Sequence, residues 1–235
     1  MKALSQYLAE SVKDVSAYCR KYKQYGNAWM GTYTKAKAGV IYCTALIFTE
    51  SSKKYYNECP GDAKFNFSDI AVITVDGSWS ETEIMRLISR GTGLPKNVKV
   101  RACAQDKVDL DAFYKIIPFN ELEVVTGDSS HADVKIVRPC KFGEWSVPDG
   151  GEDVKCNIKF PKAKLDKVTL STRNQRPWMQ LFTDRLGINA KECVLNTTMP
   201  GSFDKQSMVS DYIKDAEVFV KKLNSVNKVT VAKMD

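Results

Sequence analysis

Glu121 and Glu123 sit one residue apart in the stretch Glu-Leu-Glu-Val-Val. In an extended strand, side chains alternate between faces, so both carboxylates point the same way. A pair so placed is the first place to look for carboxylate chemistry on a substrate. The only histidine, His131, sits in the polar turn Gly-Asp-Ser-Ser-His-Ala-Asp. A Ser-His-Asp triad would have to use it as the base, with Ser129, Ser130 or Asp133 beside it. Sequence neighbours seldom reach triad geometry, and an exposed turn histidine is the expectation. One histidine and seven scattered cysteines offer no zinc-ligand spacing, so no metal site is expected.

Asp133-Val-Lys135 and Asp153-Val-Lys155 each carry half of what metal-dependent nuclease chemistry needs. The missing half is a second acid to share the metal. Alternating charge on strand surfaces is the expectation for both. The basic stretches are better suited to binding. Lys155, Lys159, Lys162, Lys164, Lys167, Arg173 and Arg176 are opposed within their window only by Asp166, with Phe160 and Trp178 among or beside them. Lys13, Arg20, Lys21, Lys23, Lys35 and Lys37 mingle with Tyr18, Tyr22, Tyr25, Trp29 and Tyr33. Cations neutralise phosphates and aromatic rings stack on unpaired bases, so both zones suit weak, non-specific, salt-sensitive contact with DNA. Solvated surface is the competing account, and neither zone carries a defined nucleic-acid-binding motif.

Two family resemblances go further than these residue types. Glu121-x-Glu123-Val-Val followed by Gly127-Asp-Ser129 resembles the carboxylate motif of mono-ADP-ribosyltransferases. The resemblance implies NAD as co-substrate, with Glu123 holding the nicotinamide ribose and Glu121 selecting the target. The arginine strand and the Ser-Thr-Ser strand that precede this motif in the family are missing here. The opening residues, MKALSQYLAESV, resemble the capsid-targeting segment of internal head proteins of T-even-type tailed bacteriophages. Met1-Lys2, Tyr7-Leu8, Ala9-Glu10 and Ser11 fill that pattern. The resemblance implies entry into the prohead and cleavage after Glu10, within Leu8-Ala9-Glu10. It also implies packaging with DNA and delivery into the host cytoplasm. The partners it implies are DNA, prohead components and a host protein. No cofactor is expected unless the ADP-ribosyltransferase reading holds, and a plain nucleic-acid-binding or structural protein is the third reading.

These residues need elements to hold them. Leu4, Leu8, Val12, Val15, Cys19 and Tyr22 recur at helical spacing, which predicts an amphipathic helix over residues 3–24 ended by Gly26. Val40–Thr49 reads as one buried strand, and 57–61 as loop. Asp69–Val75 reads as a strand. Ser80-Glu-Thr-Glu83 is a capping box that starts a helix running to about Arg90. Strands are expected at 97–103, 122–126, 134–137, 153–160, 168–171 and 193–196. A helix at 109–117 is stopped by Pro118, and another spans 176–186. Met208, Val209, Tyr212, Ile213, Ala216, Phe219, Val220 and Leu223 form the stripe of a last amphipathic helix, with an edge strand at 228–232. Strands alternating with helices give an α/β or α+β class. The expected division is a segment 1–10 and one mixed domain, 11–235, with a central sheet.

Composition agrees with a globular protein: 43% of residues are hydrophobic and 27% charged. The net charge of +7 is uneven. Residues 1–50 and 151–200 each carry a net +4, and residues 101–150 a net −3. No apolar run reaches the roughly 18–20 residues of a membrane span, and no secretory signal core is present. Seven cysteines, an odd number without C-x-x-C, read as reduced thiols. The glycosylation patterns at Asn66 and Asn196 would then go unused.

Overall fold

A computed structural model describes residues 14–21, 30, 35–103, 106–125, 157–172, 188–197 and 229–233. The described residues up to Val98 form one compact unit and those from Lys99 onward a second. Parallel strands joined through helices define an α/β protein. The expectations at 134–137, 176–186 and 208–223 lie outside the described residues.

In the first unit, α1 (residues 14–21) buries Val15 and Cys19 of the predicted apolar stripe, and Tyr18 beside them. β1 (Lys35–Lys37) and β2 (Val40–Tyr42) form an antiparallel hairpin closed at Lys37 and Val40. Its two turn residues, Ala38 and Gly39, both have positive φ, 52° and 77°, as the tight primed turns of hairpins demand. β2 then pairs in parallel with β4 (Lys64–Asn66), and β4 with β6 (Gly91–Thr92). β3 (Leu46–Phe48) pairs in parallel with β5 (Val72–Val75).

The apolar run Val40–Thr49 is therefore two short strands in different sheets. At the break, the Cys43 amide donates to the Asn66 carbonyl at 2.9 Å and the Thr44 amide to Met30 at 3.2 Å. Leu46, Ile47 and Phe48 are all buried, so this part of the run has two covered faces. Hydrophobicity alone carries no mark of where the chain leaves one sheet for another.

α2 (Glu50–Asn57) is a helix the sequence pattern did not announce. Its sequence, Glu-Ser-Ser-Lys-Lys-Tyr-Tyr-Asn, has no apolar stripe. Its start is held from outside: the Glu50 amide donates to Asp76 at the end of β5, 2.9 Å away. The Thr49 amide donates to the Ser52 hydroxyl at 3.1 Å. The Trp79 indole packs 5.0 Å from both the Phe48 and Tyr56 rings and donates to the Thr49 carbonyl at 3.0 Å. α3 (Glu81–Ile88) begins as its capping box requires: the Ser80 amide donates to the Glu83 carboxylate at 2.8 Å, and the Glu83 amide returns to the Ser80 hydroxyl at 3.3 Å.

The second unit is built on β7 (Lys99–Cys103), β8 (Glu121–Val125), β9 (Leu165–Thr172), β10 (Ala190–Thr197) and β11 (Val229–Lys233). They lie side by side in sequence order, with β11 next to β10, and every neighbouring pair is parallel. α4 (Leu110–Ile116) makes the crossover from β7 to β8, and the chain turns away at Pro118. Val100, Leu122, Val168 and Cys193 stand in register across four strands, and each is at most 1% exposed. That row is the core side. The residues one position along point to the other side, and they are mostly charged.

Of the expected strand 153–160, the described part is Asn157 to Phe160. It alternates exposed and buried, but joins its neighbour by one bridge only, between Lys159 and Asp109. No helix among the described residues is long and apolar enough to cross a membrane. The cysteines among them are free, and burial pushes the Cys19 thiol up to about 11 and the Cys193 thiol up to about 12.

Candidate functional site

β8 lies between β7 and β9, so the register decides what Glu121 and Glu123 meet. Both stand on the side opposite the core row, as alternation requires. Glu121 pairs with Lys99 on β7 and Lys167 on β9, and Glu123 with Arg101 and Thr169. The two glutamates nevertheless differ sharply. Glu121 is exposed, whereas Glu123 is 6% exposed.

One oxygen of Glu123, Oε2, gathers three donors. Arg101 donates through Nε at 2.9 Å and Nη2 at 2.8 Å, and Lys99 Nζ lies at 2.8 Å. Burial by itself would raise the Glu123 carboxyl. Arg101 and Lys99 outweigh it and hold the group below the ordinary carboxylate value. Sequence reasoning missed Lys99 and Arg101. Their signal was there in the alternation of Lys99-x-Arg101, which mirrors Glu121-x-Glu123 one strand away.

The basic strip is divided by the fold. Residues 157–160 turn Ile158 and Phe160 inward and Lys159 outward. The backbone is fixed to the start of α4: the Lys159 amide donates to Val108 and the Leu110 amide to Lys159, both at 2.9 Å. The Lys162 amide donates to Asp111 at 3.0 Å. Lys159, Lys162 and Lys164 are exposed on this segment. Lys159 forms an ion pair with Asp109 at 2.6 Å. That contact raises the lysine's pKa, and, against burial, helps hold Asp109 below its ordinary value. Asp109 and Asp111 thus temper the strip, and neither was anticipated because they lie some fifty residues upstream. Lys167 belongs elsewhere, half-buried on β9 beside Glu121. Lys155, Arg173 and Arg176 lie outside the described residues.

In the first unit, Arg20 and Lys37 are exposed, and exposed Lys21 pairs with Glu58 at 2.8 Å. Tyr18 is buried with its hydroxyl donating to the Tyr55 carbonyl, so it is core and offers no stacking face to a base. Leu8, Ala9, Glu10, His131 and both Asp-x-Lys strings lie outside the described residues. Among the described residues, no group of three His, Cys, Asp or Glu side chains is placed to hold a metal ion.

This geometry defines a class: a parallel α/β sheet with an apolar core row on one side and a cluster of charges on the other, flanked by a lysine-bearing segment pinned to a helix start. No protein-family model, curated protein or solved structure matches the chain.

Proposed function

We propose that this protein is packaged with DNA inside a tailed-phage head, contacts that DNA non-specifically, and is delivered with it into the host. The observation that carries the DNA contact is the segment 157–164. It presents Lys159, Lys162 and Lys164 to solvent from a backbone held by hydrogen bonds to α4. Fixing the backbone in advance lowers the ordering cost when a polyanion binds. Lys162 and Lys164 have no ion-pair partner among the described residues, so phosphates need not displace a carboxylate there. The net charge of +7 acts in the same direction at long range. Packaging rests on the resemblance at residues 1–12.

DNA retention at graded salt tests the contact. Retention should fall as salt rises, with the slope set by the number of phosphates neutralised. Lys162→Gln together with Lys164→Gln should reduce that slope by about two. An unchanged slope, or no retention even at low salt, sinks the proposal for this segment. The packaging half is read from the intact mass of the protein taken from virions. A mass matching residues 11–235 is expected, and a full-length chain would refute cleavage after Glu10.

A further inference from the structure

Asp109 has two oxygens with different tasks. Oδ1 accepts from the Ala112 amide at 2.8 Å and so caps the start of α4. Oδ2 holds Lys159 Nζ at 2.6 Å. The cap fixes the carboxylate, and the backbone bonds between residues 108–110 and Lys159 fix the distance between the two segments. The Lys159 side chain is not fixed in this way. It is 61% exposed, and its flexible four-carbon stem can swing into solvent. A phosphate that meets Lys159 therefore competes with an anion that the fold keeps in place. Lys162 differs. Only its backbone amide is engaged by an acid, Asp111, whose other oxygen faces Lys115 at 3.6 Å.

We infer that Asp109 is a built-in competitor for phosphate, which withholds Lys159 from DNA while Lys162 and Lys164 bind it. The inference rests on the DNA contact proposed for residues 157–164 and adds what restrains it. A polyanion reaches Lys159 only by breaking the Asp109 contact, and Asp109 then stays beside the phosphate as a like charge. An exposed ion pair is weak, so the restraint is small in energy. It still removes one phosphate contact from the set, which keeps the binding of DNA weak and readily reversed.

Asp109→Asn isolates the restraint. Asparagine caps a helix as well as aspartate does, so α4 keeps its start, but the charge that holds Lys159 is gone. DNA retention at graded salt is measured for the original chain, Asp109→Asn, Lys159→Gln and the double variant. Asp109→Asn should bind about fivefold more tightly at low salt. Its slope should be steeper by about one. Lys159→Gln should leave the slope of the original chain unchanged, yet lower it by about one in the Asp109→Asn background. That asymmetry separates release of Lys159 from the bare removal of a negative charge, whose gain would not depend on Lys159. A Lys159→Gln effect of equal size in both backgrounds overturns the inference, as does an Asp109→Asn gain that survives Lys159→Gln. In either case the DNA contact itself stands. Lys159→Gln alone also decides: a slope lower by about one in the original chain overturns the inference whatever Asp109→Asn does. No retention by any of the four chains sinks the DNA contact and the inference together.

Discussion

Replacing Glu123 with alanine is expected to destabilise the chain by about 3–5 kcal/mol, the range for removing one partner from a buried ion pair. The cost is less the loss of attraction than what remains. Arg101, with its side chain 14% exposed, and Lys99, 32% exposed, would be left side by side without an anion. Glu123→Gln keeps the shape and one acceptor, and should fall between alanine and the original. Replacing the pair together, Glu123→Leu with Arg101→Met, should recover most of the loss, because apolar side chains avoid the desolvation that the ions incur. Urea unfolding followed by circular dichroism gives the numbers. A loss of under about 1 kcal/mol for alanine would mean that water reaches the cluster and the pair behaves like a surface one.

The same cluster sets a pH dependence. The folded Glu123 carboxyl lies below its unfolded value, so its stabilisation is complete above the unfolded value of about 4.3. It is lost as pH falls through the folded value. Asp109 and Asp166 are lowered as well, by their contacts with Lys159 and Lys191, and act in the same acid window. Stability should therefore decline below about pH 4.3, and Glu123→Gln should flatten that decline.

Gly91→Ala is the second large effect. A methyl group there would lie 2.2 Å from Phe67 Cε2 and 2.6 Å from its Cζ. The ring cannot step aside cheaply. Phe67 is fully buried and stacks on Phe65 at 6.0 Å, and the Arg90 guanidinium lies 4.9 Å over the Phe65 ring. Arg90 is itself tied to the Pro60 and Ala63 carbonyls at 2.6 and 2.9 Å. Overpacking of this kind costs about 1–3 kcal/mol. Thermal unfolding should show a clear drop for Gly91→Ala. Adding Phe67→Leu should cost less in the Gly91→Ala background than in the original chain, because the shorter side chain vacates the space. Equal costs in both backgrounds would show that the ring does not occupy the space beside Gly91.

Gly91 also shows the limit of reading glycine from sequence. Two glycines after a helical pattern mark a stop, and α3 does end just before them. The stop signal says nothing of β6, which begins at Gly91, where the Phe67 ring fills the space a side chain would take. The capping box at Ser80 and Glu83 was fully legible, since both partners lie within one helical turn. α2 was not, because it has no apolar stripe and Asp76, which holds its first amide, follows a strand some twenty-six residues on.

By itself the sequence determined what period and local chemistry can determine. Apolar spacing located the described part of α1, and alternation placed Glu121 and Glu123 on one side of a strand. Turn and capping residues bounded α3 and α4, and alternating elements gave the α/β class. Only the tertiary structure decided which strands are neighbours. That choice turned two similar glutamates into an exposed one and one buried between Arg101 and Lys99. It split the basic strip between a segment on α4, tempered by Asp109 and Asp111, and a lysine on the sheet. The physical reason is one of range. Backbone periodicity acts over a few residues, whereas the burial and electrostatics that decide what a charge does depend on partners some twenty to fifty residues away.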